Sequence, residues 1–171
     1  MAVRRVFYDC EFMERGGPIE LISIGCVDED GRELYAVSTA FDPMDAIPWV
    51  QRNVLPLLPP QGTSPWRSRE RIRDDLEHWL LDGLGPGDEL QLWAWYSAYD
   101  HVVLAQIWGP MTALPRRIPR FTHDLRSLWE LLGKPPLPVQ TGAQHDALAD
   151  ARHNLERWQA LEPARKAAGL A

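Results

Sequence analysis

The sequence has little of what marks secreted and membrane-spanning proteins. Its 171 residues include two cysteines, Cys10 and Cys26, which are too few for a disulfide scaffold. No apolar run approaches the roughly 20 residues of a membrane-spanning helix, and no long apolar segment follows Arg4 and Arg5 as in a signal peptide. We therefore expect a cytoplasmic protein without a membrane partner, in which both cysteines are buried in strands and reduced.

An excess of positive charge is also absent. The 24 Asp and Glu residues outnumber the 18 Lys and Arg residues, which gives a net charge of −6. Proteins that bind nucleic acids usually carry a basic surface, so this balance argues against such a partner unless some of the acids hold cations. The composition is otherwise globular, with 45% hydrophobic and 25% charged residues, and we expect one domain over residues 1–171.

The order of apolar segments predicts an α/β protein with a mixed five-stranded sheet and helices on both faces. Three strands open the chain as a meander, and an Asp-Gly turn at residues 30–31 joins the second to the third. Prolines recur from Pro43 to Pro65, which indicates an irregular excursion with one short helix. The predicted strands are 3–12, 19–27, 33–41, 89–96 and one near 121; the predicted helices are about 48–58, 70–81, 100–108, 124–132, and a last helix with an apolar stripe from 148 to 158.

Two carboxylates stand at the end of the otherwise apolar first strand. Asp9 and Glu11 are two residues apart, so the strand pleat directs both to one face and Cys10 to the other. Neighbouring carboxylates that are partly buried repel each other unless a cation compensates, and hard oxygen ligands suit Mg²⁺ or Mn²⁺. Taken alone, the pair is better explained by ordinary acids at an exposed strand end.

Two further segments place polar groups next to apolar elements. Asp100 lies at a junction between strand and helix, where it could simply cap the helix. In the segment HDALADA, we place His145 at or just before the start of the last helix and Asp150 in its first turns, so that both can reach one cavity. The alternative is that Asp146 caps this helix while His145 and Asp150 face water.

Together, these motifs resemble the DEDDh exonucleases, the RNase T-like branch of the ribonuclease H-like fold. The matching segments are FYDCEF, SAYDHVVL and HDALADA. Over almost the whole chain, segments such as IELISIG, YAVST, IWGPMTALP and PRFT look like the RNase AS family of bacterial 3′-to-5′ exoribonucleases, which prefer polyadenylate. The likeness is weakest at residues 134–144 and in the C-terminal tail.

The resemblance implies hydrolysis of single-stranded RNA from its 3′ end, which releases nucleoside 5′-monophosphates. It implies two Mg²⁺ ions, with Mn²⁺ as the alternative, held by four carboxylates: Asp9, Glu11, Asp100 and Asp150. His145 would be the general base, since a histidine with a pKa near ~6.5 can take a proton from water near neutral pH. We assign no catalytic role to His101 or His123.

The same resemblance suggests contacts to the substrate. Phe12 and Met13 would stack on the terminal base, while Glu20 and Ser23 would hydrogen-bond to its edge or to the ribose. Ordinary packing explains each of the four equally well. Arginines that could steer phosphates cluster at residues 67–73 and 116–120, although such arginines more often solvate a surface.

The implied partners are RNA with adenylate-rich 3′ ends and a second copy of the chain. The eight tryptophans agree with a homodimer, because aromatic residues are enriched at interfaces. Two alternatives stay open: a DEDDh exonuclease directed at DNA or dinucleotides, and an RNA-binding module that has lost catalysis. The presence of all five catalytic-type residues argues against the second alternative.

Overall fold

The chain forms a six-stranded sheet in the order β4-β3-β2-β1-β5-β6. This computed structural model describes residues 2–170. The strands are β1 (Val3–Met13), β2 (Glu20–Asp28), β3 (Glu33–Ser38), β4 (Trp66–Arg67), β5 (Glu89–Ala94) and β6 (His123–Asp124). The helices are α1 (Pro48–Asn53), α2 (Arg69–Leu81), α3 (Ala98–Gln106), α4 (Leu125–Leu131), α5 (Ala147–Ala160) and α6 (Glu162–Ala167). Among residues 2–170, no helix combines the length and hydropathy needed to cross a membrane.

The sheet has one strand more than predicted. The opening meander is confirmed, because β1 pairs with β2 and β2 with β3, both antiparallel. The additional strand is β4, at the end of the proline-rich excursion, where Trp66 and Arg67 pair with β3 in parallel. Two residues are too few to produce an alternating pattern in the sequence. The last strand, predicted near Phe121, lies at His123–Asp124, and Phe121 itself is exposed just before it.

Helices cover both faces of the sheet, as predicted. On one face, α2 and α3 pack against β1, β2 and β5 in a core that includes both cysteines, Cys10 and Cys26, which are buried and free. On the other face, Ala151 and Trp158 of α5 pack with Leu125 of α4 against the sheet. A smaller cluster joins α1 to the ends of β1 and β3.

The parallel pairing of β1 with β5 brings two carboxyl ends to one edge of the sheet. The pairing runs from Val3 opposite Glu89 to Phe7 opposite Trp93, so the last residues of β1 extend past β5. The helix α3 begins four residues after β5 ends, at this same edge. Acids at the end of β1 and at the start of α3 therefore lie close together.

The helix α5 rests directly on the backbone of β2. A Cβ atom built on Gly25 would lie 2.3 Å from the carbonyl oxygen of Ala147, well inside the contact distance of real atoms. Farther along α5, the side-chain amide of Asn154 donates a hydrogen bond to the carbonyl oxygen of Tyr8, at 3.1 Å. These two contacts fix the first turns of α5 over the end of β1.

We expect Gly25→Ala to lower the free energy of unfolding by about 2–3 kcal/mol, because the new methyl group meets rigid backbone and pushes α5 outward. Urea unfolding followed by tryptophan fluorescence measures this change. Gly17→Ala is the matched control, since a Cβ at Gly17 meets no atom within 4 Å. Equal stability of the two variants would contradict the close approach of α5 to β2.

Candidate active site

A cleft with a volume of about 460 Å³ opens where β1 and β5 end. Its lining includes five residues that the sequence singled out: Asp9, Glu11, Asp100, His145 and Asp150. They come from β1, α3 and the start of α5, which are distant in the sequence. Open α/β sheets bind ligands at the carboxyl ends of their strands, so the cleft lies where such a fold provides a site.

The buried acids are held by the ends of β1 and by the first turn of α3. Glu11 is 8% exposed and Asp100 is 6% exposed. The register between β1 and β2 shifts directly after Glu11: Glu11 lies opposite Ser23, whereas Phe12 lies opposite Leu21, and the pairing continues to Met13 opposite Glu20. The Asp100 carboxylate accepts a hydrogen bond from the backbone N–H of Cys10 at 2.8 Å, which ties α3 to β1. Asp100 is thus inside the helix, and Ser97 occupies the N-cap position.

The start of α5 orients the remaining two groups, in agreement with their predicted placement. Asp146 caps the helix by accepting a hydrogen bond from the N–H of Ala149 at 2.8 Å. His145 lies just before the cap, with a left-handed φ of 67°. Its backbone N–H donates a hydrogen bond to the Asp150 carboxylate at 2.9 Å. The N-cap and the left-handed backbone of His145 therefore place His145 and Asp150 together in the lining of the cleft.

The geometry of the cluster suits a divalent cation. Glu11, His145 and Asp150 each offer one ligand atom, and these atoms lie within 4.8 Å of one another. Asp9 and Asp100 line the same cleft. Carboxylate oxygens are the ligands that Mg²⁺ and Mn²⁺ prefer, and four carboxylates in one cleft fit such ions in kind and in number.

Burial and repulsion between neighbouring carboxylates raise the pKa values of Glu11, Asp100 and Asp9. Burial, together with the Asp150 and Asp100 carboxylates, raises the pKa of Glu11 to about 8. Burial raises the pKa of Asp100 to about 7, although the hydrogen bond from Cys10 favours its charged form. The pKa of Asp9 is raised well above its ordinary value by burial and by its acidic neighbours. A bound cation would remove this penalty.

The raised pKa values predict how pH changes the effect of a divalent cation on stability. An acid whose pKa is higher in the folded state destabilises the fold as pH rises from its ordinary pKa, near 4.5 for Glu11, to its raised value of about 8. We therefore expect the melting temperature of the metal-free protein to fall between pH 6 and pH 8.5. The increase in melting temperature on adding Mg²⁺ should be larger at pH 8.5 than at pH 6.

Differential scanning fluorimetry with EDTA or Mg²⁺ at both pH values measures these shifts. In Glu11→Gln one of the groups that titrate in this range is absent while Asp100 remains, so the pH dependence of the Mg²⁺ effect should become smaller. An equal Mg²⁺ effect at both pH values in the unsubstituted protein would contradict the prediction.

Several residues of the cleft could not be recognised in the sequence. Trp49 of α1 lies edge-on against the ring of His145, with centroids 4.7 Å apart. The side-chain amide of Gln140 donates a hydrogen bond to Asp150. Both residues belong to proline-rich segments that had no recognisable motif. The lining also includes Tyr99, which lies within the segment SAYDHVVL, and four residues outside the motifs: Trp95, Tyr96, Gln144 and Arg157.

The four predicted substrate contacts lie in different environments. Phe12 lines the cleft and stacks on Tyr99, with centroids 5.8 Å apart and planes 10° from parallel. Met13 is 1% exposed and packs in the cluster around α1. Ser23 is buried inside β2, and Glu20 is exposed at its start, where it pairs with an arginine at 3.2 Å. Phe12 is therefore the one of the four that the structure brings to the cleft lining.

His101, His123 and the two arginine groups are not part of the cleft lining. His123 stacks on Trp93, with centroids 4.2 Å apart, which agrees with a packing role. Among the clustered arginines, Arg67 and Arg71 pair with Asp75, and Arg117 donates to two backbone carbonyls.

Solved structures with the same arrangement of elements include two nucleases. The nuclease domain of 3′hExo, a DEDDh family member bound to rAMP, superposes with a TM-score of 0.59 at 15% identity, covering 94% of this chain and 92% of that chain. A 3′-exonuclease that recognises the 3′ end of a histone mRNA stem-loop gives 0.57 at 13% identity, covering 94% and 81%. The predicted ribonuclease H-like fold is therefore confirmed.

Sequence comparison gives a closer match. The protein named 3′-5′ exoribonuclease Rv2179c, from Mycobacterium tuberculosis (strain ATCC 25618 / H37Rv), is 58% identical over 158 residues, which is 92% of each chain. The protein named 3′-5′ exoribonuclease MT2234.1, from strain CDC 1551 / Oshkosh, matches to the same extent. The family described as the 3′-5′ exoribonuclease Rv2179c-like domain matches residues 4–162, so the predicted class of enzyme is confirmed. The chain belongs to the Rv2179c-like family of 3′-5′ exoribonuclease domains.

Proposed function

We propose that this exoribonuclease is metal-dependent, removes nucleoside 5′-monophosphates from the 3′ end of single-stranded RNA, and prefers polyadenylate. The observation that carries the proposal is the convergence of four carboxylates and one histidine in a single cleft. Divalent cations would relieve the repulsion between these partly buried carboxylates. Hydrolysis of a phosphodiester by a two-metal site requires the same cations. The 3′hExo nuclease domain, which shares the fold, was solved with rAMP bound.

The carboxylates of Asp9, Glu11, Asp100 and Asp150 would hold two Mg²⁺ ions, with Mn²⁺ as the alternative. Ions bound there would lower the pKa of the attacking water and would offset the negative charge that develops on the leaving 3′ oxygen. The protein positions these ligands before binding occurs. The N–H of Cys10 holds Asp100, while the N–H of His145 and the amide of Gln140 hold Asp150.

His145 would accept the proton of the attacking water. Its ring faces the same space as the carboxylates of Glu11 and Asp150, and Trp49 packs against it edge-on. The left-handed backbone of this residue fixes the direction in which the side chain leaves the chain. A neutral imidazole can act as a general base by accepting a proton from water.

Phe12, stacked on Tyr99 at the edge of the cleft, would pack against the terminal base. Such stacking contributes about 1–3 kcal/mol per base and tolerates every base. The adenylate preference therefore rests on the resemblance of the sequence to RNase AS. We also propose one domain over residues 1–171 and a cytoplasmic location. We further propose a homodimer. Of the tryptophans that could contribute to its interface, Trp49 is 45% exposed, while the others are buried or half-buried.

Digestion of 5′-labelled oligo(A), oligo(C), oligo(U) and a matching DNA, with Mg²⁺ or EDTA, tests this function. We expect a Mg²⁺-dependent ladder that shortens from the 3′ end and forms fastest on oligo(A). Asp150→Asn should lose cleavage because a ligand charge is removed, and His145→Ala should lower the rate about 10²–10⁴-fold because the proton acceptor is removed.

Asp74→Asn and His78→Ala are the matched controls, since both residues are exposed on α2. They should digest at the unsubstituted rate. Equal rates on all four substrates would contradict the polyadenylate preference, and undiminished cleavage in EDTA would contradict the metal dependence.

A further inference from the structure

A row of aromatic rings leads away from the carboxylates along the turn after β5 and onto α4. Trp95 and Tyr96 line the cleft together with Asp9 and Asp150. The ring of Trp95 lies 5.9 Å from that of Tyr96 and 6.1 Å from that of Trp129 on α4, measured between centroids. We call Trp95, Tyr96, Arg126, Trp129 and Lys134 the α4 platform.

Cationic groups alternate with these rings. The guanidinium carbon of Arg126 lies 5.8 Å from the centroid of Trp95, 5.5 Å from Tyr96 and 4.7 Å from Trp129. The ammonium of Lys134 lies 5.5 Å from the ring of Trp129. Both cations share one carboxylate, Glu130, at 2.7 Å from Arg126 and 3.6 Å from Lys134. The platform therefore carries an excess of positive charge on a protein whose net charge is −6.

Arg157 connects the platform to the acids. Its guanidinium carbon lies 4.3 Å from the centroid of Trp95, and the group lines the cleft beside Asp9 and Asp150. The side-chain oxygen of Asn154 accepts a hydrogen bond from it at 2.8 Å. Positive groups and rings thus form a continuous path from Trp129 to the carboxylates.

Tyr96 is held in an unfavourable conformation on this path. Its φ of 56° lies in the left-handed region, which an aromatic residue rarely adopts, and its side chain is 61% exposed. Packing does not explain the choice of residue, because most of the ring is in water. Strained residues of this kind persist at sites that contact ligands.

We propose that the α4 platform binds the stretch of single-stranded RNA that leads to the cleft, upstream of the last two nucleotides. This inference rests on the proposed function. Rings stack on bases of any sequence and cations neutralise phosphates, which is the combination that single-stranded nucleic acids require. A strand bound along this row enters the cleft past Arg157, with its 3′ end toward the carboxylates.

The test compares a substrate long enough to reach Arg126 and Trp129, which lie outside the cleft lining, with one that fills the cleft alone. In Arg126→Ala we expect kcat/KM for a ten-nucleotide oligoadenylate to fall about 10-fold, because a cation shared by three rings is lost. The value for 5′-phosphorylated diadenylate should stay within about twofold, because Arg126 is outside the cleft lining. Arg73→Ala, which removes an exposed arginine on α2, is the matched control.

Binding measured without hydrolysis separates this inference from the proposed function. With Ca²⁺ in place of Mg²⁺, fluorescence anisotropy should show weaker binding of the ten-nucleotide oligoadenylate to Arg126→Ala, with a salt dependence reduced by about one phosphate contact. If the unsubstituted protein cleaves no RNA, the hydrolysis proposal fails, and the anisotropy comparison still decides the platform.

Tyr96→Gly supplies an independent result. Glycine relieves the left-handed strain, so the melting temperature should not fall, while kcat/KM should fall more on the ten-nucleotide substrate than on the dinucleotide. Equal losses on both substrates, or no loss in either variant, would overturn the inference. A change of oligomeric state in light scattering would also overturn it, since the face would then be an interface between protein chains.

Discussion

Repulsion among carboxylates is the interaction on which the rest of this structure depends. Glu11 and Asp100 are each less than a tenth exposed, and Asp9 and Asp150 line the same cleft. Burial and proximity raise the pKa of Glu11 to about 8 and that of Asp100 to about 7, which shows how unfavourable their charged forms are in the metal-free protein. A fold that maintains this arrangement must be stabilised elsewhere.

That stabilisation comes from the sheet and from the seating of α5. The parallel pairing of β1 with β5 places Asp9, Glu11 and Asp100 at one edge, and the hydrogen bond from Cys10 fixes Asp100. The absence of a side chain at Gly25 lets α5 approach β2 closely enough for Asp150 to reach the same cleft. The repelling groups are thus held by backbone contacts that do not depend on a ligand.

Much of the fold and of the acidic cluster could be predicted because the relevant signals are local. The alternation around Asp9 and Glu11 assigns both to one face, and the segment around His145 carries its own helix start. Contacts between distant segments gave no such signal. Trp49, which contacts the ring of His145, lies in the proline-rich excursion. The guanidinium of Arg126 lies over Trp95 in the turn after β5 and over Trp129 on α4. The strand β4 could not be predicted because it has only two residues. The burial of Met13 in the core could not be predicted either, because it lies beyond the register shift that follows Glu11.

We propose that the carboxylates of the cleft hold two divalent cations. Anomalous diffraction from a crystal grown with Mn²⁺ tests it most directly, because it locates each ion independently of activity. The account predicts two peaks about 3.5–4 Å apart between Asp9, Glu11, Asp100 and Asp150. An absence of peaks among these carboxylates at saturating Mn²⁺, or peaks only elsewhere on the protein, would contradict it.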